Sequence, residues 1–423
     1  MAKPANGTRT GLVAALDLGS TKVCCFIARA GGATPPRVIG IGHQLSEGVR
    51  AGAIADMDAV ETSILAAVHA AEQMAGETIR NVVVNVAGGR PASRTMRTEI
   101  AIAGHAIADA DLRKILAQDP GPAESESREI IHSVPVAFTI DDARGVRDPR
   151  GMFGERLGVE MHRVTAATGA LRNLTTCVAR CHLSVESLVV SPYASGLSCL
   201  DADERKLGAT VIDMGGGTTS IAVFIDGHIA FSDCVPVGGQ HVTNDIARGL
   251  STPIAHAERM KTLYGSAIAS VSDEREVIDV PRIGESGLDH ANHVPRSLLI
   301  GIIRPRLEET LEMVRDRLEA AGFDRLAGRR VVLTGGASQL QGAVDLAALI
   351  LDKQVRLGRP TSVGGLAEAT GGPAFSTAAG LLTYAVENPA GVADGLFAPA
   401  ADDDQATPKG VFGKAGHWLR HNF

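Results

Sequence analysis

From Val211 to Phe224 the chain reads as two apolar, β-forming runs around an acid, three consecutive glycines and two threonines. That is the pattern of a strand, a tight turn and a returning strand. Gly215, Gly216 and Gly217 carry no Cβ, so successive backbone N–H groups face one concavity, and such a nest binds phosphate oxygens. Asp213, at the end of the incoming strand, is placed to hold a hydrated Mg²⁺ beside those phosphates. Thr218 and Thr219 add hydroxyl donors. A plain structural hairpin is the alternative reading, but it has little need of these residues in this order.

The stretch has an echo near the N-terminus. Ala15 to Val23 repeats the order: apolar strand, Asp17, an apolar residue, Gly19, then Ser20, Thr21 and Lys22 and a β-rich exit. Two such loops about 200 residues apart imply duplicated halves facing each other across a cleft. Each half then contributes one hairpin to the phosphates and one carboxylate, Asp17 or Asp213, to the metal through water. Lys22 is the candidate to neutralise phosphate charge. A third piece, Val331 to Leu340, reads as a buried strand, a turn at Gly335-Gly336-Ala337 and a helix start. Its small residues let backbone lie flat against an adenine or ribose; a plain strand-to-helix turn is the other reading. In this order the three pieces resemble the phosphate and adenosine motifs of the actin-like ATPases. The resemblance implies an α/β fold: two duplicated RNase H-like lobes around a cleft for ATP and Mg²⁺.

A chain of 423 residues is long enough for two to four domains. Aromatics are scarce at 3%, so Ala, Val, Leu, Ile and Gly must do the packing, as suits buried α/β layers. The net charge of −7 leaves no general basic footprint for nucleic acid. The six cysteines lie mostly inside apolar runs and read as core thiols. Cys177, Cys181 and His182 have no second pair at a metal-binding spacing. No apolar run reaches the roughly 18 residues that span a bilayer, and no signal peptide is expected before the first strand.

The spacing of apolar residues predicts a helix over Met57 to Met74, capped by Asp56 and stopped by Gly76, then a strand over Val82 to Val86. From 87 to 163 the texture changes. Strands at Met96 to Ala103, Ile130 to Ile140 and Val159 to Thr165, with a helix at Asp109 to Gln118, make a small α+β module inserted into the first half. A helix over Ala167 to His182 and a strand over Val185 to Val190 follow. The segment Ser191 to Leu197 then opens the connection between halves. Ile254 to Tyr264 and Leu298 to Ala321 read as helices, and 266–296 as strand-rich and irregular.

The insertion, with Ile131 to Pro135 and Asp148 to Gly154, resembles the special domain of the FtsA family of bacterial divisome actin homologues. The resemblance implies lobe 1 at 12–86 and 164–194 and the inserted subdomain at 87–163. It implies lobe 2 at 195–260 and 331–386, with a smaller subdomain at 261–330. Gly238 and Gly239 resemble the family's Gly-Gly turn before a helix. Glu258 and Lys261 match a pattern that faces ribose and adenine; a surface ion pair is the alternative. Arg306 and Glu309, on one side of the long helix, correspond to the family's docking site for the C-terminal peptide of FtsZ, against the alternative of a solvated charged face. Where the superfamily carries an acid or amide that positions water, this chain has Ser191, Ser195 and Ser198.

Residues 387–408 hold three prolines, five acids and no base, the composition of a disordered linker; 1–11 also reads as disordered. Charge then inverts. Over 409–423, Val411, Phe412, Ala415, Trp418, Leu419 and Phe423 fall on one helical arc, with Lys414, His417, Arg420 and His421 opposite. A basic amphipathic helix with Trp and Phe lies in the headgroup layer of an anionic membrane. Docking in a partner groove or on the chain's own body are the alternatives. The FtsA family carries such a tail. The resemblance implies a filament that anchors FtsZ to the cytoplasmic membrane at the septum, self-associates and recruits later division proteins. A small-molecule kinase of the same fold and a non-hydrolysing nucleotide-clamped scaffold remain as rivals.

Overall fold

The computed structural model of the chain describes residues 9–31, 35–118, 127–146, 148–284 and 292–387. The first half opens with an antiparallel meander of β1 (Thr10–Leu18), β2 (Lys22–Gly31) and β3 (Arg37–Leu45). The small hairpin of β4 (Val49–Arg50) and β5 (Ala53–Ile54) follows, then α1 (Met57–Ala75) and β6 (Asn81–Val86). Asp56 caps α1 by accepting from the N–H groups of Asp58 and Ala59, and Gly76, with φ of 67°, ends it. Both are the residues that the sequence marks for those roles.

A separate sheet then interrupts the lobe. It comprises β7 (Ala92–Ala101), α2 (Asp109–Ala117), β8 (Arg128–Ile140), β9 (Ala143–Val146) and β10 (Arg156–Ala167), ordered β7-β10-β8-β9. Leu112 and Ile115 of α2 pack with Phe138, Leu157 and Val159 in a core of its own. β7 starts earlier than the predicted Met96, because polar Arg94 to Thr98 pair along β10. The short strand β9, between β8 and β10, has no counterpart among the predicted strands. The lobe resumes with α3 (Thr168–Arg180) and β11 (Ser184–Val190), and its sheet runs β11-β6-β1-β2-β3.

Two helices, α4 (Ser191–Cys199) and α5 (Ala202–Leu207), lead to the second half. There the meander recurs as β12 (Ala209–Met214), β13 (Thr219–Ile225) and β14 (His228–Val235). Next come α6 (Gly239–Gly249), α7 (Ile254–Tyr264), β15 (Val277–Val280), β16 (Asn292–Pro295), α8 (Arg296–Ala320) and α9 (Phe323–Leu326). The chain closes through β17 (Arg330–Thr334), α10 (Ala343–Leu351), β18 (Gln354–Leu357) and α11 (Ser376–Glu387). The sheet order β14-β13-β12-β17-β18 repeats the first lobe strand for strand, with β6 and β17 parallel to the two central strands. The expected strand-rich 266–296 supplies only β15 and β16; turns fill the rest of what is described.

Each central strand is buried on both faces, so it reads as a continuous apolar run. Leu16 and Leu18 of β1 join the core under α1 and α3, while Val13 and Ala15 face the core that includes Leu381 and Leu382 of α11. Helices α4 and α11 cross between the lobes at close range. A Cβ at Gly380 would stand 1.7 Å from the Ala194 carbonyl oxygen, so only glycine allows this approach. All six cysteines are free thiols, buried or half-buried, as core packing predicts.

Candidate functional site

The β1–β2 and β12–β13 turns are closed in the same way. The Gly19 N–H donates to the Lys22 carbonyl, and the Gly215 N–H to the Thr218 carbonyl, each at 2.9 Å. Gly216 and Gly217 lie in the turn, outside both strands, with their amides not used by the β12–β13 ladder. The two turns also meet. A Cβ on Gly216 would lie 2.4 Å from Thr21 Cγ2, and one on Gly217 would lie 2.4 Å from Ser20 Oγ. The glycines thus serve two ends, exposing amides and letting the hairpins touch. Gln240 Nε2 adds a bond to the Ser20 carbonyl at 3.2 Å.

Below the turns lies a cavity of about 530 Å³, within the usual size of a small-molecule site. Asp17, Gly19, Ser20, Thr21 and Lys22 line it from one lobe. Asp213, Gly215, Gly216, Gly217, Thr218, Gly239, Glu258, Lys261, Gly335, Gly336 and Ala337 line it from the other. Two predicted residues do not. The Thr219 hydroxyl is fully buried and donates to the Val237 carbonyl at 2.8 Å. Being the first residue of β13, Thr219 turns its side chain under the sheet. Gly238 instead packs on the second turn, where a Cβ would lie 2.5 Å from the Gly215 carbonyl oxygen.

Asp17 and Asp213 both face this one cavity. Burial pushes Asp17 up to about 7; Lys22 pulls it down and Asp213 adds to the rise. Burial also raises Asp213, although Ser195 Oγ at 2.7 Å and Thr377 Oγ1 at 3.1 Å donate to its Oδ2. Gly335, with φ of +85°, fits against the same carboxylate: a Cβ there would lie 2.4 Å from Asp213 Oδ1. Lys22 Nζ bonds to the Ala374 carbonyl and stands 3.4 Å above the centre of the Phe375 ring. Two desolvated carboxylates opposed by one lysine make a site that gains from an added cation. Among the described residues no cluster of three or more His, Cys, Asp or Glu stands ready to ligate a metal directly. The donor set therefore fits an ion held largely through water.

The Glu258–Lys261 pair is both an ion pair and part of the cavity wall. Lys261 Nζ donates to Glu258 Oε2 at 2.7 Å, Thr243 Oγ1 at 2.9 Å and the Gly239 carbonyl at 3.2 Å. Arg306 and Glu309 are bonded to each other, and Arg306 Nε also donates to Asp245 Oδ2 at 2.5 Å. Asp245, within α6, is thus the ion-pair partner of Arg306. Val411, Phe412, Trp418, Leu419 and Phe423 lie outside the described residues.

Sequence reasoning misses Asn85, Gln240, Ala374 and Thr377, all of which line the cavity. Asn85 leaves one signal, as the single polar residue inside Val82 to Val86. The other three gain their place from tertiary contact alone. Of the three serines, Ser191 lines the cavity, Ser195 holds Asp213, and Ser198 donates to the Ser376 carbonyl at 2.7 Å.

Residues 210–380 match the family described as cell division protein FtsA. Residues 88–165, the interrupting sheet, match the SHS2 domain inserted in FtsA. The chain is 48% identical to the cell division protein FtsA of Rhizobium meliloti (strain 1021), across 100% of this chain and 97% of that one. It is 34% identical to that of Pseudomonas aeruginosa, across 97% and 98%. Among solved structures it resembles the PilM–PilN type IV pilus biogenesis complex (TM-score 0.62, 18% identity, 88% of this chain and 98% of that one). It also resembles MreB5 of Spiroplasma citri bound to ADP (TM-score 0.53, 15% identity, 89% and 96%). The fold is therefore that of the actin-like ATPases with an SHS2 insertion, and the chain belongs to the FtsA family of cell division proteins.

Proposed function

We propose that the chain binds ATP with Mg²⁺ between its two hairpins and works in division as a filament that tethers FtsZ to the cytoplasmic membrane. The observation that carries the nucleotide site is the pair Asp17 and Asp213, opposed in one cavity under two glycine turns. That MreB5 of Spiroplasma citri is solved with ADP and with AMPPNP supports a nucleotide in such a cleft. The amides of both turns bind the β- and γ-phosphates, and Lys22 offsets their charge. Asp17 and Asp213 hold the hydrated ion. Bound there, Mg²⁺ supplies the positive charge that screens the phosphates. Glu258, Lys261 and the Gly335-Gly336-Ala337 turn hold the nucleoside. Closure of the lobes favours contacts between copies, so nucleotide and filament growth are coupled.

The finer assignments rest on the family resemblance and on the sequence. Lobe 1 is 12–86 with 164–194, and lobe 2 is 195–260 with 331–386; 87–163 is inserted and 261–330 forms the small subdomain. The Arg306–Glu309 face, joined by Asp245, takes the C-terminal peptide of FtsZ. Residues 409–423 bind anionic lipid, and among the described residues no helix is long and apolar enough to cross a membrane. Later division proteins join the same assembly.

The deciding experiment is titration of Mg·ATP into the full chain and into Asp213→Ala. The variant removes one of the two carboxylates and should bind at least tenfold more weakly. Equal affinity would remove the site assignment.

A further inference from the structure

Asn85 lies in a strand whose neighbours are valines, and it is 3% exposed. Its Oδ1 accepts from the Leu18 N–H at 2.7 Å, and its Nδ2 donates to Ser191 Oγ at 3.1 Å. A backbone N–H can only donate, so Leu18 decides which end of the carboxamide is oxygen, and Nδ2 must face Ser191. Ser191 Oγ therefore accepts from Asn85, and its own proton turns elsewhere. Ser191 is the first residue of α4, and both it and Asn85 line the cleft. One turn further along α4, Ser195 holds Asp213. Asn85 is anchored to the residue after Asp17. The pair is thus bonded into the carboxylate end of the cleft, whereas Glu258 and Lys261 belong to α7 of the other lobe.

We propose that Asn85 and Ser191 read the terminal phosphate of the nucleotide. The carboxamide fixes Ser191 as an acceptor on one side, so its hydroxyl proton points into the cleft. There, at the positive end of α4, it donates to a γ-phosphate oxygen. A diphosphate offers this hydroxyl nothing. Asn85 is the positioning residue and Ser191 the contacting one, and together they separate a triphosphate from a diphosphate. Because α4 also carries Ser195 to Asp213 and packs on α11, the contact is registered on the helix that joins the lobes.

This inference rests on the cleft being an ATP site, and the test keeps the two apart. Calorimetric titration of the full chain with Mg²⁺ uses AMPPNP, a non-hydrolysed triphosphate, and ADP. Wild type should prefer AMPPNP. Ser191→Ala should lose about tenfold in AMPPNP affinity, the usual worth of one hydrogen bond to a charged group, and keep its ADP affinity. Ser191→Thr retains a hydroxyl and should restore the preference. Asn85→Ala should lose part of it, because the hydroxyl is no longer aimed. If Ser191→Ala weakens both nucleotides equally, or neither, the pair does not read the terminal phosphate. If wild type binds neither nucleotide, the reading of the cleft itself falls.

Discussion

Asp17 is the carboxylate for which the fold and the proposed site make opposite demands. Burial lifts its pKa from 3.8 to about 7. A folded-state value above the unfolded one means that the neutral acid is the form the fold prefers. Asp17 therefore costs least below about pH 4, and its cost grows as pH rises and levels off above about 7. On the plateau the shift of roughly three units, at about 1.36 kcal/mol each, amounts to about 4 kcal/mol as an upper bound. At pH 4.5 the same linkage gives only about 1 kcal/mol. Asp17→Asn keeps the shape and removes the charge. Unfolding entropy of roughly 2.1 cal/mol/K per residue, over 423 residues, is about 0.9 kcal/mol/K. The melting temperature of the variant should then exceed that of wild type by roughly 4 °C at pH 8.5 and by about 1 °C at pH 4.5. Circular dichroism melts in EDTA, without nucleotide, measure both. An equal shift at the two pH values would refute a desolvated, ionised Asp17 at neutral pH.

Gly217→Ala places a Cβ 2.4 Å from Ser20 Oγ and 3.0 Å from Ala51 Cα, so it should force the hairpins apart and weaken ATP binding at least tenfold; Gly169→Ala, where a Cβ meets nothing within 4 Å, is the control that should bind normally. Arg306→Ala breaks a pair with Asp245 whose side chains are 28% and 24% exposed, and should cost about 1 kcal/mol of stability. Its affinity for a fluorescent FtsZ C-terminal peptide should fall about tenfold, and unchanged anisotropy would take Arg306 off that face. Deleting 409–423 should abolish co-sedimentation with anionic liposomes and leave ATP binding intact. In the full chain, Trp418 emission should shift to the blue on such liposomes, and a constant spectrum would count against insertion.

The fold is readable where local chemistry and tertiary burial agree. Asp56 and Gly76 bound α1 because a cap and a left-handed stop act within one turn. The two hairpins are legible because an acid and glycine between two apolar runs mark a tight turn, and the close approach of the turns demands glycine. What escapes is whatever depends on residues distant in sequence. Thr219 looks like a donor beside the glycines, yet the pleat turns it to Val237. Asp245 gains its partner only because α8 brings Arg306 against it, 61 residues away. Asn85 has no local signature beyond a broken valine run, and its bond partners are 67 and 106 residues away.

The insertion does more than decorate lobe 1. Its strand β7 lies against β14, the outer strand of the other lobe, and Ser93 Oγ accepts the Ser232 N–H at 2.7 Å. An outward amide that would otherwise invite a foreign strand is thereby saturated. At Ser232 the margin of β14 is thus closed from within the chain, and that amide is not on offer to a strand from another copy.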